Sequence, residues 1–318
     1  MMVWDFFFLG VRMTKLQSTL SNILQNKIIL WLLIIIITMI WGYAFVIMKD
    51  VLQFMGPITF AVARFFVGTI VLLLLVWVLK LGLPPKDSWL HLIIVGLLQT
   101  TIVFLFIMLA LKFVDAGKTS ILLYSMPMWS SILAAKFLGE KVNSIKITGL
   151  TIGIIGLLTI LGTDLWVGKD KEHLFGELLI VLAAISWACS NVYYRLKLET
   201  LPKIQPSAYQ MLFGTIGLLI ASLVVEWNIP IEWNALSIYY VLFAGVLASA
   251  LCFTVWFVIL SMIDMVTSTV SIMLVPVFSV LFGAILLGEK LTLSVSIGSV
   301  LIISGIIIAQ LKHKEKVV

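Results

Sequence analysis

The chain has 318 residues, 62% of them hydrophobic and only 11% charged, with a mean hydropathy of +1.19. A soluble domain carries about 25% charged residues, so the composition excludes a soluble globular fold and predicts an all-α polytopic membrane protein. The net charge of +6 does not point to nucleic acid, because the basic residues fall in short loops where membrane topology accounts for them.

Runs of about 18 or more apolar residues mark transmembrane helices, since ~20 residues at 1.5 Å each cross a ~30 Å hydrocarbon core. Ten such spans are expected, at 28–48, 58–79, 90–111, 117–138, 145–163, 175–195, 207–225, 236–260, 267–287 and 293–311. Residues 1–27 then form an N-terminal segment, 28–163 a first five-helix unit, 164–174 a linker, 175–311 a second five-helix unit and 312–318 a tail. With the N-terminus in the cytoplasm, fourteen Lys and Arg fall on the cytoplasmic side and six on the other. That bias sets orientation, and ten spans put both termini in the cytoplasm of a multi-pass cell-membrane protein.

The fourth and ninth spans repeat one another at a separation of 149 residues. Asp115 falls on Asp264, Pro127 on Pro276, Ser130 on Ser279, and Gly139-Glu140-Lys141 on Gly288-Glu289-Lys290; Gly149 and Gly156 then fall on Gly298 and Gly305. An odd number of spans per half makes the second half run through the bilayer upside down. Inverted repeats of this kind place a substrate site between the halves, near the midplane.

Trp41-Gly42 late in the first span, Arg64 early in the second, and Pro-bearing fourth and ninth spans ending in Gly-Glu-Lys occur together. In these features the chain resembles the ten-helix bacterial members of the drug/metabolite transporter superfamily, the EamA-like proteins. The resemblance implies a bundle with a central cavity, here between the two inverted five-helix repeats, both ends cytoplasmic, and export or exchange of small metabolites such as amino acids.

Polar groups within a bilayer are costly and are functional candidates by default. Arg64 either meets an anionic group such as a carboxylate, or snorkels and bonds carbonyls of a neighbouring helix. Gln210 occupies the equivalent position in the second half, aligned through Gly68-Thr69-Ile70 and Gly214-Thr215-Ile216. Ser120, Tyr124, Pro127 and Ser131 share one face of the fourth helix, and Trp187, Asn191 and Tyr194 one face of the sixth. These stripes either line a cavity or glue helices together. Gln99 and Trp256 are further cavity candidates. Pro127 and Pro276 are expected mid-helix, as hinges that leave the carbonyls of Leu123 and Ile272 without their usual donors. Glu140, Glu289, Asp115 and Asp264 are expected as local helix caps or loop ion pairs.

All fifteen acidic residues are expected in the N-terminal segment, in loops, at span ends or in the tail, with none buried mid-span, and His91, His173 and His313 are expected at the periphery. A membrane proton relay needs such groups, so facilitated diffusion or exchange is the more plausible mode. No nucleophile–base pair and no set of metal ligands lies within the spans, so an intramembrane enzyme, a metal and a cofactor are not expected. The expected partners are a small-molecule substrate and the lipid bilayer. Efflux of amphipathic toxic compounds is the alternative transport function. The sequence does not set the oligomeric state.

Overall fold

The structure is a computed structural model, and it describes residues 27–139, 143–168, 170–202, 204–260 and 271–310. Among them every regular element is helical, as the bilayer demands, because only helices satisfy all backbone groups within one segment. The first half comprises α1 (Lys27–Asp50), α2 (Pro57–Val78), α3 (Trp89–Gly96), a π-helical segment Leu97–Ile102, α4 (Val103–Ala110), α5 (Ala116–Leu123), α6 (Met126–Phe137) and α7 (Ser144–Val167). The second comprises α8 (Lys171–Lys197), α9 (Ile204–Val225), α10 (Ala235–Leu242), a π-helical segment Phe243–Leu251, α11 (Cys252–Leu260), α12 (Leu274–Leu286) and α13 (Leu293–Gln310).

Seven helical stretches among the described residues are long and apolar enough to cross a membrane, and Leu274–Leu286 and Leu293–Ala309 are shorter apolar helices. The chain is therefore a multi-pass membrane protein. The expected fourth span is not one helix. It breaks at Tyr124–Ser125, between α5 and α6. The expected ninth span is described only from residue 271, and it breaks at Met273.

These breaks correct the expectation for the prolines. Pro127 sits in the first turn of α6 and Pro276 is the third residue of α12, so neither is mid-helix. The first four N–H groups of a helix lack internal partners anyway, and a proline there costs little. Pro127→Ala should therefore change stability by less than about 1 kcal/mol, not the ~3 kcal/mol of an interior proline. A thermal unfolding scan in detergent checks it.

The halves interleave. α1 packs on α12, on the Phe243–Leu251 segment and on α11, whereas α8 packs on α4, α5 and α6. α2 lies against α9, and α7 against α13. The α7–α13 seam is the closest, because glycines let the backbones touch. A Cβ on Gly149 would stand 2.4 Å from the Ala309 nitrogen, and one on Gly156 2.7 Å from the Gly298 oxygen. Gly149→Ala should therefore force the helices apart and cost about 1–3 kcal/mol. A Tm unchanged from the parent would contradict that packing.

Three helices converge at the end of the bundle that carries Asp50, Asp115 and Glu289. Lys49, in the last turn of α1, donates to the carbonyls of Leu111 and Val114 at 2.5 and 2.9 Å. Glu289, just past α12, accepts from the backbone N–H groups of Ala116 and Gly117 at 2.6 and 3.0 Å. Ser279 donates to the Ala116 carbonyl at 3.3 Å. Nearby, Glu226 accepts from the N–H groups of Ile58 and Thr59 at 3.0 and 2.7 Å, at the start of α2.

Two expectations about acids change here. Glu289 caps α5, a helix of the other half, rather than its own neighbour, and Asp115 holds the N-cap position of α5 without a side-chain cap bond. Glu140 and Asp264 lie outside the described residues. Burial pushes the Glu289 carboxyl above the usual carboxylate range, with the Gly117 and Ala116 N–H groups opposing it.

One carboxylate expected at a span end is buried there. Glu177, in α8, is 1% exposed and pairs with Lys118 of α5, itself 6% exposed. The His173 Nε2 lies 3.3 Å from Glu177, and its Nδ1 lies 2.9 Å from the Phe113 carbonyl. A buried charge is tolerated when paired. Distance from a loop along the sequence did not reveal that α5 covers this position.

Candidate functional site

Beside that end lies a cavity of about 280 Å³, walled by α1, α2, the two helices that contain π segments, the α5–α6 break and α8. Six of the seven cavity candidates line it: Arg64, Gln99, Tyr124, Trp187, Asn191 and Trp256. Gln210 does not. It is 7% exposed on α9, and its Oε1 has no hydrogen-bond partner among the described residues. Its backbone oxygen faces Gly96 so closely that a Cβ there would stand at 2.5 Å. The position equivalent to Arg64 thus serves helix packing rather than the cavity.

The expected stripe on the fourth helix does not persist, because the break at Tyr124–Ser125 rotates α6 relative to α5. Tyr124 reaches the cavity, while Ser120 turns back to the Gly117 carbonyl at 2.7 Å. On α8, Trp187 and Asn191 line the cavity and Tyr194 packs elsewhere, in an apolar cluster with Leu198 and Tyr209.

Arg64 is 4% exposed. Its Nε donates to the Ser249 hydroxyl at 3.0 Å and its Nη1 to the Met48 sulfur at 3.2 Å. The guanidinium carbon stands 5.1 Å from the ring centroid of Phe65 and 4.9 Å from that of Phe104, within cation–π range. It neither snorkels to the surface nor bonds a helix carbonyl. No carboxylate forms an ion pair with it among the described residues.

The π segments deliver much of this chemistry. Ser249 lies in Phe243–Leu251, and so does the Ala248 carbonyl that accepts from Trp41 Nε1 at 2.8 Å. Gln99 lies in Leu97–Ile102, and its Oε1 accepts from the Ser190 hydroxyl at 3.0 Å. A π turn redirects side chains and carbonyls that a regular α-helix would keep in register, and such turns cluster at functional sites. Trp41→Phe should leave the Ala248 carbonyl without that donor and cost about 1 kcal/mol, or about 2 °C in Tm. An unchanged Tm would show the bond to be dispensable.

Sequence reasoning missed Trp41, Phe45, Phe104 and Phe253, which also line the cavity. A signal existed. Trp41 and Trp187 are 146 residues apart, the separation that aligns Gly68 with Gly214, and Phe45 and Asn191 share it. Phe104 and Phe253, Ile107 and Trp256, and Leu123 and Ile272 are each 149 apart, and all six face the cavity.

The profile of the EamA-like transporter family matches residues 28–162 and again 174–310. The chain belongs to this family, and hence to a class of membrane transporters. It is 34% identical over 274 residues to the "Uncharacterized transporter YoaV" of Bacillus subtilis (strain 168), covering 86% of this chain and 94% of that protein. The "Probable amino-acid metabolite efflux pump" of Salmonella typhimurium is 26% identical, over 87% of this chain and 93% of that protein, and the Escherichia coli K12 protein of the same description 25%, with the same coverage. A solved crystal structure superposes with a TM-score of 0.63 at 19% identity, over 88% of this chain and 96% of that one, and so shares the fold.

Proposed function

We propose that this protein carries small organic metabolites bearing a carboxylate, amino acids or similar compounds, across the cell membrane by alternating access, as export or exchange. The observation that carries the proposal is the cavity itself. It holds a buried guanidinium among aromatic walls, and ten of its sixteen lining residues form equivalent pairs between the halves. That pairing supports ten spans arranged as two inverted five-helix repeats, and the Lys and Arg asymmetry of the loops supports both termini in the cytoplasm and the Glu289 end outside. In this reading the structure is closed outside. The breaks at Tyr124–Ser125 and Met273, each followed by Pro127 or Pro276, act as the hinges. The description of the Salmonella and Escherichia relatives supports the substrate class.

Efflux of amphipathic toxic compounds is the second reading, favoured by the aromatic walls. At about 280 Å³ the cavity is at the lower limit of ligand sites, which run ~300–1,000 Å³. That size suits a metabolite better than a bulky drug.

Counterflow in liposomes is the test. Purified protein, preloaded with each member of a panel of unlabelled amino and organic acids, should take up the matching labelled compound. Absence of exchange with every member would end the proposal. Single-cysteine labelling tests the topology: a cysteine at Lys171 reached only from the cytoplasmic side would rule out the inverted arrangement.

A further inference from the structure

We infer that the cavity selects organic monoanions, carboxylates on an apolar body with no ammonium group, and that each anion crosses carrying its own negative charge. The inference rests on the transport reading above and narrows its substrate class. It begins from the charge balance of the site. The Arg64 guanidinium stays protonated under all physiological conditions. Its partners are a hydroxyl, a thioether and two ring faces, all neutral. Among the described residues that line the cavity none is acidic. The empty site therefore carries an uncompensated cation in surroundings of low dielectric, an expensive state, and a bound monoanion neutralises it.

An amino acid would not. Its carboxylate could meet Arg64, but its ammonium would enter the same cavity of about 280 Å³, and the occupied site would keep a net charge of +1. The amides on offer are neutral: Gln99 Oε1 already accepts from Ser190, Asn191 Nδ2 donates to the Met126 sulfur at 3.2 Å, and an amide oxygen that accepted from the ammonium would leave that charge in place. The rings of Trp41, Trp187 and Trp256 could attract a cation, but Arg64 repels it from the same space. Those rings are better matched to the apolar body of an aryl or branched-chain acid.

The same charge balance sets the mode of energisation. If Arg64 stays on its helix, a turnover moves the charge of the substrate alone. A potential of about 100 mV, negative inside, then biases a monoanion outward about 50-fold without a coupling ion. This matches a cavity with no titratable carboxylate or histidine in its described lining.

The test uses matched pairs that differ only at one group: phenylpyruvate against phenylalanine, and 4-methyl-2-oxopentanoate against leucine. Full-length protein in liposomes is assayed by counterflow and by net flux under valinomycin-imposed potassium potentials. The expected result is oxo-acid flux at least tenfold above that of the amino acid in each pair. Efflux should also rise steeply as the lumen is made negative. Amino acids exchanging as fast as their oxo acids, or oxo-acid flux indifferent to potential, would overturn the inference while leaving the transport reading intact. Asp264, outside the described residues, is tested as Asp264→Asn, with oxo-acid preference expected to be unchanged. A preference that shifts from amino acid to oxo acid in that variant would locate an ammonium partner there and also overturn it. No exchange by either pair or by any other amino or organic acid would instead sink the transport reading, and this inference with it.

Discussion

Arg64→Met should reduce transport of a carboxylate substrate about 10- to 100-fold and at the same time raise the Tm. The two effects have one cause. A charge-assisted bond between a guanidinium and a carboxylate is worth about 1.5–3 kcal/mol, which sets the loss. In the unoccupied protein Arg64 has only neutral partners among the described residues. Removing its charge deletes a desolvation cost without orphaning an acid, whereas breaking a true buried ion pair costs about 3–5 kcal/mol. Met fills similar volume and adapts to irregular packing. Initial rates in liposomes and unfolding scans in detergent read the two effects separately. A variant that is both inactive and less stable would show Arg64 to be a structural group.

The second large effect is expected at Glu289. Its carboxylate accepts from both leading N–H groups of α5, where the helix dipole adds to the attraction. Two such bonds, at about 1.5–3 kcal/mol each before water replaces them, hold α12 to α5. Glu289→Ala should shift the balance toward a state open at that end by about 10- to 100-fold. Glu289→Gln keeps one acceptor oxygen and should fall between. On a background without Cys189 and Cys252, the labelling rate of a cysteine at Val280 reports the opening, since Val280 packs against Gly117. Equal labelling in all three proteins would mean the contact does not hold that end shut.

Membrane class, all-helical architecture and family were legible because they depend on bulk hydropathy and on a few polar and Gly/Pro matches. The cavity was legible where a polar side chain interrupted an apolar span, as at Arg64, Gln99 and Asn191. It was not legible at Phe45 or Phe104. A lipid-facing phenylalanine and a cavity-facing one look alike in a helix that is apolar all round, so periodicity separates nothing. Gln210 misled because a polar group in lipid can serve packing as well as binding. Glu289 and Glu177 misled because their partners are far away in sequence: Ala116 is 173 residues from Glu289, and Lys118 reaches Glu177 from another helix. The two π segments left no mark in composition, since they consist of ordinary helix-compatible residues.

Those π segments make the cavity sensitive to chain length in an unusual way. An α-helix advances about 100° per residue, so a π turn holds, in effect, one residue more than regular winding needs. Deleting a single residue within Leu97–Ile102 could let the helix wind regularly while preserving its hydrogen bonds and its length across the membrane. It would also swing Val103–Ala110 about its axis, carrying Phe104 and Ile107 away from the cavity they now line. Among related sequences, single-residue insertions and deletions at this point would therefore change the chemistry of the lumen rather than break the helix.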